Sequence, residues 1–316
     1  MVYHLVAHRR LLNEPPRFQR WQQALSRQGL SIEAVYDLSE TDWPARLAQR
    51  FNLGDRVLAL GGDGTHSSVA HQCVEHDWPL AVLPAGTAND FCRALGIPFD
   101  PDQACALLLD TPSQTDGSGS SVNAVQQAVL GKLQWIDVGR LNGRVFLNVA
   151  HIGIGAEVTW SLQSAHKSYW GGFSYLRRLL QLLSGKRRFS ARIEADGVRF
   201  SGRWLEIAVA NGPTFGGGHR IAGAGFDTAG FDTAALTLVA VRARPIPKVL
   251  LAWVMARLGY PLNRKLVRVE SIRQCRISPR RHLKISADGE RFGRTPAHYQ
   301  IEPAALRVLV PAIAPS

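Results

Sequence analysis

Residues 61–65, with the sequence GGDGT, constrain the fold of this chain more than any other segment. They follow an apolar run at 56–60, typical of a buried strand, and precede a helix-like stretch at 67–75. Gly61, Gly62 and Gly64 let the main chain approach a ligand closely, and the N–H groups at a helix start point at an anion. The segment therefore predicts a phosphate-binding turn that suits a nucleoside triphosphate.

The polar residues of this turn narrow the choice of ligand. Asp63, placed among phosphate-binding amides, indicates a nearby metal ion or sugar hydroxyl group. The segment contains neither Gly-Lys-Ser/Thr nor G-x-G-x-x-G, so it is not a P-loop and not a Rossmann fingerprint.

A second glycine turn at residues 83–91, LPAGTANDF, follows the next apolar run. Ligands of open parallel sheets bind beyond the carboxyl ends of the strands, so the two turns are expected to line one crevice and share one ligand. Thr87 and Asn89 are candidates to bind phosphate or sugar oxygens. Either residue could also cap the helix predicted to begin near Asp90, and capping is compatible with binding.

The pattern of elements changes along the chain. The first third alternates strand-like runs with helix-like runs, which predicts a parallel sheet flanked by helices. After a polar break at 111–121, short runs rich in β-branched and aromatic residues predict an antiparallel β domain, with turns at Asn142-Gly143 and Asp196-Gly197. The predicted domains are 1–130 and 131–316, and the last strand is left free to return to the first domain. The runs are strand-like at 3–7, 31–36, 56–60, 80–83, 135–138, 145–149, 192–195, 204–210, 236–241, 275–278, 283–287 and 306–310, and helix-like at 17–28, 44–51, 67–75 and 101–109.

The formal net charge of +12 is concentrated at residues 242–284, which carry twelve Lys or Arg and a single acid, Glu270. This excess of positive charge has three interpretations, which are a nucleic-acid partner, an anionic membrane face and a solvated basic surface. Bulky apolar residues interleave with the charges at 248–257 and at Tyr169-Trp170, which favours the membrane face. Zinc-finger spacing and RNP-like signatures are absent from the sequence, so no nucleic-acid partner is expected.

Four cysteines without a C-x-x-C pair indicate a reduced compartment and buried thiols, which predicts a cytoplasmic protein. The first ten residues read as a strand rather than as a signal peptide. No apolar stretch in the sequence has the length needed to cross a bilayer.

The two turns are followed in order by several further motifs. These are FCRALGIP at 91–98, FLNVAHIGIGAE at 146–157, residues 167–175, Asn211 with the glycines 216–218, DGE at 288–290 and residues 303–311. The series resembles the diacylglycerol kinase catalytic-domain family, particularly its bacterial lipid kinase branch. The resemblance implies an α/β ATP-binding domain, a C-terminal antiparallel β-sandwich domain and an active site in the cleft between them.

Functional residues are carried over from the family by position. The resemblance implies Glu290 as proton acceptor, with Asp288 beside it, and Mg²⁺ as a second cofactor. The metal loop aligns with Asp232 and Thr233, and Asp227 is a rival because GFDTA is duplicated at 225–234. The expected ATP contacts are Gly61, Gly62, Asp63, Gly64, Thr65, His66, Ser67, Ser68, Gly86, Thr87, Asn89 and Lys167.

The chain departs from the family pattern at Ser67-Ser68, where relatives usually have Asn-Glu. The metal loop also departs, because it keeps one carboxylate, Asp232, where relatives have Asp-Asp-Gly. These two departures leave a non-catalytic nucleotide or lipid sensor as an alternative. The GGDG turn leaves an NAD kinase-like activity as another. The main prediction is an ATP-dependent lipid kinase, peripheral to the inner face of the membrane, with its basic face toward anionic lipid. Diacylglycerol, phosphatidylglycerol and sphingoid-type acceptors stay open, as does a homodimer.

Overall fold

The computed structural model describes residues 2–109, 131–164, 188–215, 219–220, 230–245 and 265–312. The chain forms two compact units. Unit 1 consists mainly of Met1–Ile136 and Ala304–Ser316, and unit 2 of Asp137–Phe215 and His219–Pro303.

Unit 1 contains a parallel sheet with strand order β2-β1-β3-β4, and Val308 near the chain end pairs in parallel with Leu80 of β4. The predicted parallel sheet with flanking helices is confirmed. The elements are β1 (Val2–Ala7), α1 (Arg9–Leu12), α2 (Pro15–Arg27), β2 (Ser31–Asp37), α3 (Trp43–Ala48), β3 (Arg56–Gly61), α4 (Asp63–His76), β4 (Leu80–Pro84), α5 (Asp90–Ala94) and α6 (Pro101–Ala106).

The central strands of unit 1 are buried along their whole length because helices cover the sheet. Every residue of β3 and β4 is buried, as expected for the interior of a parallel sheet. Helix α4 begins at Asp63, four residues before the predicted stretch, with Gly62 as its N-cap residue. The glycine turn is therefore itself the first turn of the helix.

Unit 2 is built mainly of antiparallel strands, which confirms the second half of the predicted fold class. Its sheet runs in the order β16-β15-β7-β9-β8-β14-β17, and β12 and β13 branch from β9. Strands β5 and β17 have residues in both units. The elements are β5 (Gly131–Leu141), β6 (Arg144–Phe146), β7 (Val149–Gly153), α7 (Ile154–Ser164), β8 (Phe189–Ala195), β9 (Val198–Ala210), β10 (Thr214–Phe215), β11 (His219–Arg220), β12 (Leu236–Arg242), β13 (Val267–Ile272), β14 (Gln274–Pro279), β15 (Lys284–Ala287), β16 (Glu290–Arg294) and β17 (Ala297–Pro311).

Three hairpins of unit 2 share one local design. Their central residues, Asn142-Gly143, Asp196-Gly197 and Asp288-Gly289, all have positive φ, as a type I′ turn requires. In each turn the first side chain also accepts backbone N–H groups from another segment. Asn142 accepts from His298, Asp196 accepts from residues 273 and 274, and Asp288 accepts from residues 147–149.

The apolar core of unit 2 forms where the inward side chains of these strands meet, and it includes the fully buried Trp204, Phe146 and Tyr299. Burying a large aromatic or aliphatic side chain contributes about 2 kcal/mol. All four cysteines are buried and free, as predicted. Among the residues that the structure describes, no helix is long and apolar enough to span a membrane.

Candidate active site

The two glycine turns of unit 1 touch through their main chains. A Cβ atom added to Gly86 would lie 2.4 Å from Cα of Gly62, which leaves no room for a side chain. The N–H of Ala85 donates to the carbonyl oxygen of Gly61 at 2.7 Å. The sequence predicts that these turns line one crevice at the edge of the sheet, and in the structure their main chains are in contact.

Two side chains hold the turns in shape. Asn89, in the left-handed region at φ 51°, accepts the N–H of Gly86 at 2.8 Å and donates to its carbonyl oxygen at 3.1 Å. The carboxylate of Asp63 accepts the N–H of Phe91 at 2.9 Å. Asp63 therefore joins the first turn to the start of α5, a structural role that the sequence did not indicate.

The remaining predicted contacts divide into exposed and buried residues. Thr87 and Ser68 are exposed, Gly62, Gly64 and Thr65 are half-buried, and Gly61 and Ser67 are buried. The N–H groups in the first turn of α4 point outward from the N-terminal end of the helix, where they can bind an anion. This edge of the sheet also holds the topological switch point between β1 and β3, the usual ligand position in such folds.

His66 does not share this surface. Its ring is fully buried, with Nε2 3.2 Å from the carbonyl oxygen of Leu83 and Nδ1 3.8 Å from Sγ of Cys92. Burial lowers the pKa of His66, and the neighbouring Asp63 carboxylate raises it by less. A neutral, buried imidazole cannot reach a nucleotide, so the side chain of His66 belongs to the core behind the turn.

Arg17 is a cation at these turns that the sequence did not single out. Its guanidinium group donates to the carbonyl oxygen of Ala85, lies 3.6 Å from Glu14, and leaves the side chain 46% exposed. It reaches the turn from helix α2. No motif marks one arginine among several exposed ones on a helix, and only its contact with Ala85 distinguishes it.

A second carboxylate lies at the end of β2. Asp37 accepts the N–H groups of Arg9 at 3.0 Å and Ser39 at 2.9 Å and also pairs with the Arg9 side chain. Burial raises the pKa of Asp37, but the hydrogen bonds from Ser39 and Arg9 together outweigh burial and lower the pKa to about 2. The hydroxyl group and the N–H of Ser39 thus both have Asp37 as their partner.

In unit 2, Asp288 is buried and its carboxylate is occupied by the backbone. It accepts the N–H groups of Leu147 at 2.7 Å, Asn148 at 2.8 Å and Val149 at 3.2 Å. The Asp288 carboxylate therefore holds this turn in place through backbone hydrogen bonds. Its catalytic role stays a prediction.

Glu290 lies two residues beyond, exposed, as the first residue of strand β16. Because Asp288 and Gly289 form the turn, Asp288 and Glu290 do not lie side by side along one strand. Asp288 holds the turn and Glu290 presents its carboxylate at the surface of unit 2.

The candidate metal loop is tied to the interior of unit 2 by Asp137. The Asp137 carboxylate accepts the N–H of Ala234 at 2.6 Å, and its own N–H donates to the carbonyl oxygen of Phe231. Asp232 is exposed, whereas the hydroxyl group of Thr233 lies within hydrogen-bond distance of two loop carbonyl oxygens. The sequence did not predict the role of Asp137.

Asn211, a motif residue, closes the same region. Its side-chain amide donates to the carbonyl oxygens of Asp137 at 3.1 Å and Leu147 at 2.9 Å. Lys167 and Asp227 lie outside the described residues, as do the glycines 216–218 and the segments at 167–175 and 248–257. Within the described ranges, no cluster of three or more His, Cys, Asp or Glu side chains could hold a metal ion.

Two protein-family models match the chain. The model of the diacylglycerol kinase catalytic domain matches residues 14–140, and that of the YegS C-terminal NAD kinase beta sandwich-like domain matches residues 148–310. The second match confirms the predicted sandwich-type C-terminal domain.

Known proteins match over most of their length. A "Probable lipid kinase YegS-like" protein of Pseudomonas fluorescens is 32% identical and covers 82% of this chain and 79% of its own. A "Diacylglycerol kinase" of Staphylococcus carnosus is 27% identical, covering 78% of this chain and 73% of its own. The crystal structure of a diacylglycerol kinase from Bacillus anthracis superposes with a TM-score of 0.65 at 16% identity, covering 99% and 98%. At that identity the likeness shows the fold alone.

Proposed function

This chain belongs to the diacylglycerol kinase catalytic-domain family and is a lipid kinase, and on that premise we propose that it transfers the γ-phosphoryl group of ATP to a lipid hydroxyl group. The observation that carries the proposal is the contact of the two glycine turns, where Gly62 and Gly86 exclude any side chain between them. Such a surface suits the close approach of a polyphosphate to backbone amides.

The nucleotide contacts are proposed from exposure and hydrogen bonding. The amides of residues 63–65 and the hydroxyl groups of Thr87 and Ser68 are the candidate ligands of the phosphates and the ribose. Arg17 adds a positive charge beside the second turn, where its guanidinium group can also bind a phosphate oxygen. Asp63 and Asn89 act by holding the two turns together.

Mg²⁺ is proposed as the companion of ATP. Magnesium in kinases is usually held by substrate phosphates, waters and one or two carboxylates, so a three-acid cluster is not required. When bound with ATP, Mg²⁺ would neutralise developing charge on the phosphates. A separate, structural Mg²⁺ is proposed at the loop that carries the exposed Asp232 and that Asp137 anchors.

Glu290 is proposed as the general base. The lipid hydroxyl oxygen attacks the γ-phosphorus as its proton passes to the Glu290 carboxylate, and the bond from phosphorus to the bridging oxygen of ADP breaks. Asp288 fixes the turn that carries Glu290 through its three amide partners. The proposed acceptor is diacylglycerol, phosphatidylglycerol or a sphingoid-type lipid. The protein is proposed to bind peripherally to a membrane face that carries anionic lipid.

The test is transfer of labelled phosphate from ATP to a panel of lipids in mixed micelles. Glu290→Gln is expected to lower kcat by about 10²- to 10⁴-fold, the usual contribution of a general base, while ATP affinity stays unchanged. Equal turnover by wild type and Glu290→Gln would remove Glu290 from this role. Binding of ATP without transfer to any lipid would favour the sensor, and transfer to NAD would favour the NAD kinase-like alternative.

A further inference from the structure

Three basic side chains surround one tryptophan ring in unit 2. The ring centroid of Trp160 lies 5.5 Å from Nζ of Lys284, 5.1 Å from Cζ of Arg291 and 5.9 Å from Cζ of Arg294. All three distances fall within the range of cation–π attraction. We call Trp160, Lys284, Arg291 and Arg294 the basic aromatic cluster.

The cluster is held in place by hydrogen bonds to the main chain. The indole N–H of Trp160 donates to the carbonyl oxygen of Ile285 at 2.9 Å, and Arg291 donates to the carbonyl oxygen of Trp160 at 2.9 Å. Trp160 is half-buried on α7, while Arg291 and Arg294 are exposed on β16. The charged groups are therefore gathered at the surface before any ligand arrives.

The positive charge of the cluster exceeds its described acidic partners. Lys284 pairs with Glu157 at 3.0 Å, but Lys284 also stands directly opposite Arg294 in the β15–β16 ladder. Like charges at opposed ladder positions destabilise a sheet, so an anion bound here would offset a local cost. Nearby, Arg144 packs its guanidinium group 4.5 Å from the ring of Phe292.

We propose that the basic aromatic cluster binds the phosphate groups of an anionic phospholipid bilayer and docks unit 2 on the membrane. Arginine suits phosphate because its planar fork donates two hydrogen bonds, and tryptophan suits the interface because its ring is apolar with a polar edge. The inference rests on the proposed function, because a kinase that phosphorylates a membrane lipid has to reach the bilayer that holds it.

The test is binding of the full chain to sedimenting phosphatidylcholine vesicles, with and without phosphatidylglycerol, in the absence of ATP. Arg291→Gln/Arg294→Gln is expected to weaken binding to the anionic vesicles by about 30-fold, given the usual effect of two charges near such a surface. Arg192→Gln/Arg276→Gln is the matched control, because it removes two exposed charges from β8 and β14, at the other side of the strand order. Its binding is expected to stay within about twofold of wild type.

Equal losses in both double variants, or no loss in the first, would overturn the proposal. If the double variant is destabilised, Arg294→Gln alone replaces it, with an expected loss of about fivefold, because the described contact of Arg294 is with the ring rather than with the main chain. Trp160→Leu is expected to weaken binding to neutral vesicles as well. The assay contains no ATP, so its failure is distinct from failure of lipid phosphorylation.

Discussion

Backbone N–H groups converge in both units, and the two units use them differently. In unit 2, the N–H groups of residues 147–149 bind the internal carboxylate of Asp288. In unit 1, the carboxylate at the start of α4, Asp63, accepts the N–H of Phe91 and joins the two glycine turns. We propose that the first-turn N–H groups of α4 serve the phosphates of the nucleotide.

The comparison shows that a carboxylate within a motif has two quite different uses. Where the fold delivers several backbone donors to it, the carboxylate becomes part of the structure, as Asp288 does. Where a strand begins with an exposed carboxylate, as at Glu290, we propose that the carboxylate serves the substrate. Burial and partners separate the two cases, and spacing along the chain does not.

The largest expected effect comes from Asp288→Asn. The amide group would replace one acceptor oxygen by a donor facing a backbone N–H, so the free energy of unfolding should fall by about 3 kcal/mol. Asp196→Asn is the matched control, since it sits in the same type of turn but is exposed, and it should cost less than 1 kcal/mol. Urea unfolding measures both, and equal costs would break the comparison.

The next effect is expected from Gly86→Ala. The new methyl group would meet the main chain of Gly62, so overpacking should cost about 2 kcal/mol and ATP binding should weaken. Gly54→Ala separates crowding from backbone strain, because Gly54 has φ +98° and open space around it. Calorimetric titration with ATP should show a loss for Gly86→Ala alone. An unchanged ATP affinity would mean that the turns do not hold the nucleotide.

Arg17→Gln tests whether the Arg17 side chain, in addition to the backbone amides of unit 1, binds the phosphates of ATP. Losing one charged hydrogen bond to phosphate should weaken ATP binding by about tenfold and leave adenosine binding unchanged. Arg20→Gln, three residues along α2 and also exposed, should bind ATP as wild type does. A parallel loss of ATP and adenosine affinity would indicate that Arg17 only supports the fold through Ala85.

Asp37, a half-buried carboxylate at the end of β2, also accepts backbone N–H groups, as Asp288 does. Its replacement has the smallest expected effect. Its pKa of about 2 lies below the ordinary value, so its stabilisation is present above pH 4 and is lost as pH falls through 2. Unfolding measured at several pH values should therefore show a cost of about 1 kcal/mol for Asp37→Asn at pH 6 and a much smaller cost near pH 2. Asp42→Asn, exposed at the start of α3 with no side-chain capping bond, should have no effect. A pH-independent cost for Asp37→Asn would contradict the charge argument.

Much of the fold follows from local patterns. Each of the predicted strand-like runs lies within or overlaps an observed strand, because apolar runs and β-branched residues specify extended chain over short distances. The turn dipeptides also formed the predicted hairpins, since glycine and asparagine or aspartate tolerate positive φ. Strands β13 and β16 were missed because charged residues interrupt their apolar pattern.

The candidate site was less accessible to the sequence. Glycine turns and the DGE motif pointed to the right segments, but not to what each side chain touches. His66 was expected at the nucleotide and lies in the core, and Arg17 was overlooked and lies at the turn. Both outcomes depend on which face of a helix meets the sheet, and a short motif does not specify that face.

The sequence alone determined the two glycine turns and the change from parallel to antiparallel strands, because these depend on neighbours within a few residues. The series of motifs along the chain determined the family. Tertiary structure decided the roles of individual side chains. Asp288 meets its amide partners across about 140 residues of chain, and Arg17 meets Ala85 across 68. Such contacts form only when the sheet brings distant segments together, and burial then determines whether a charge serves the fold or remains available to a ligand.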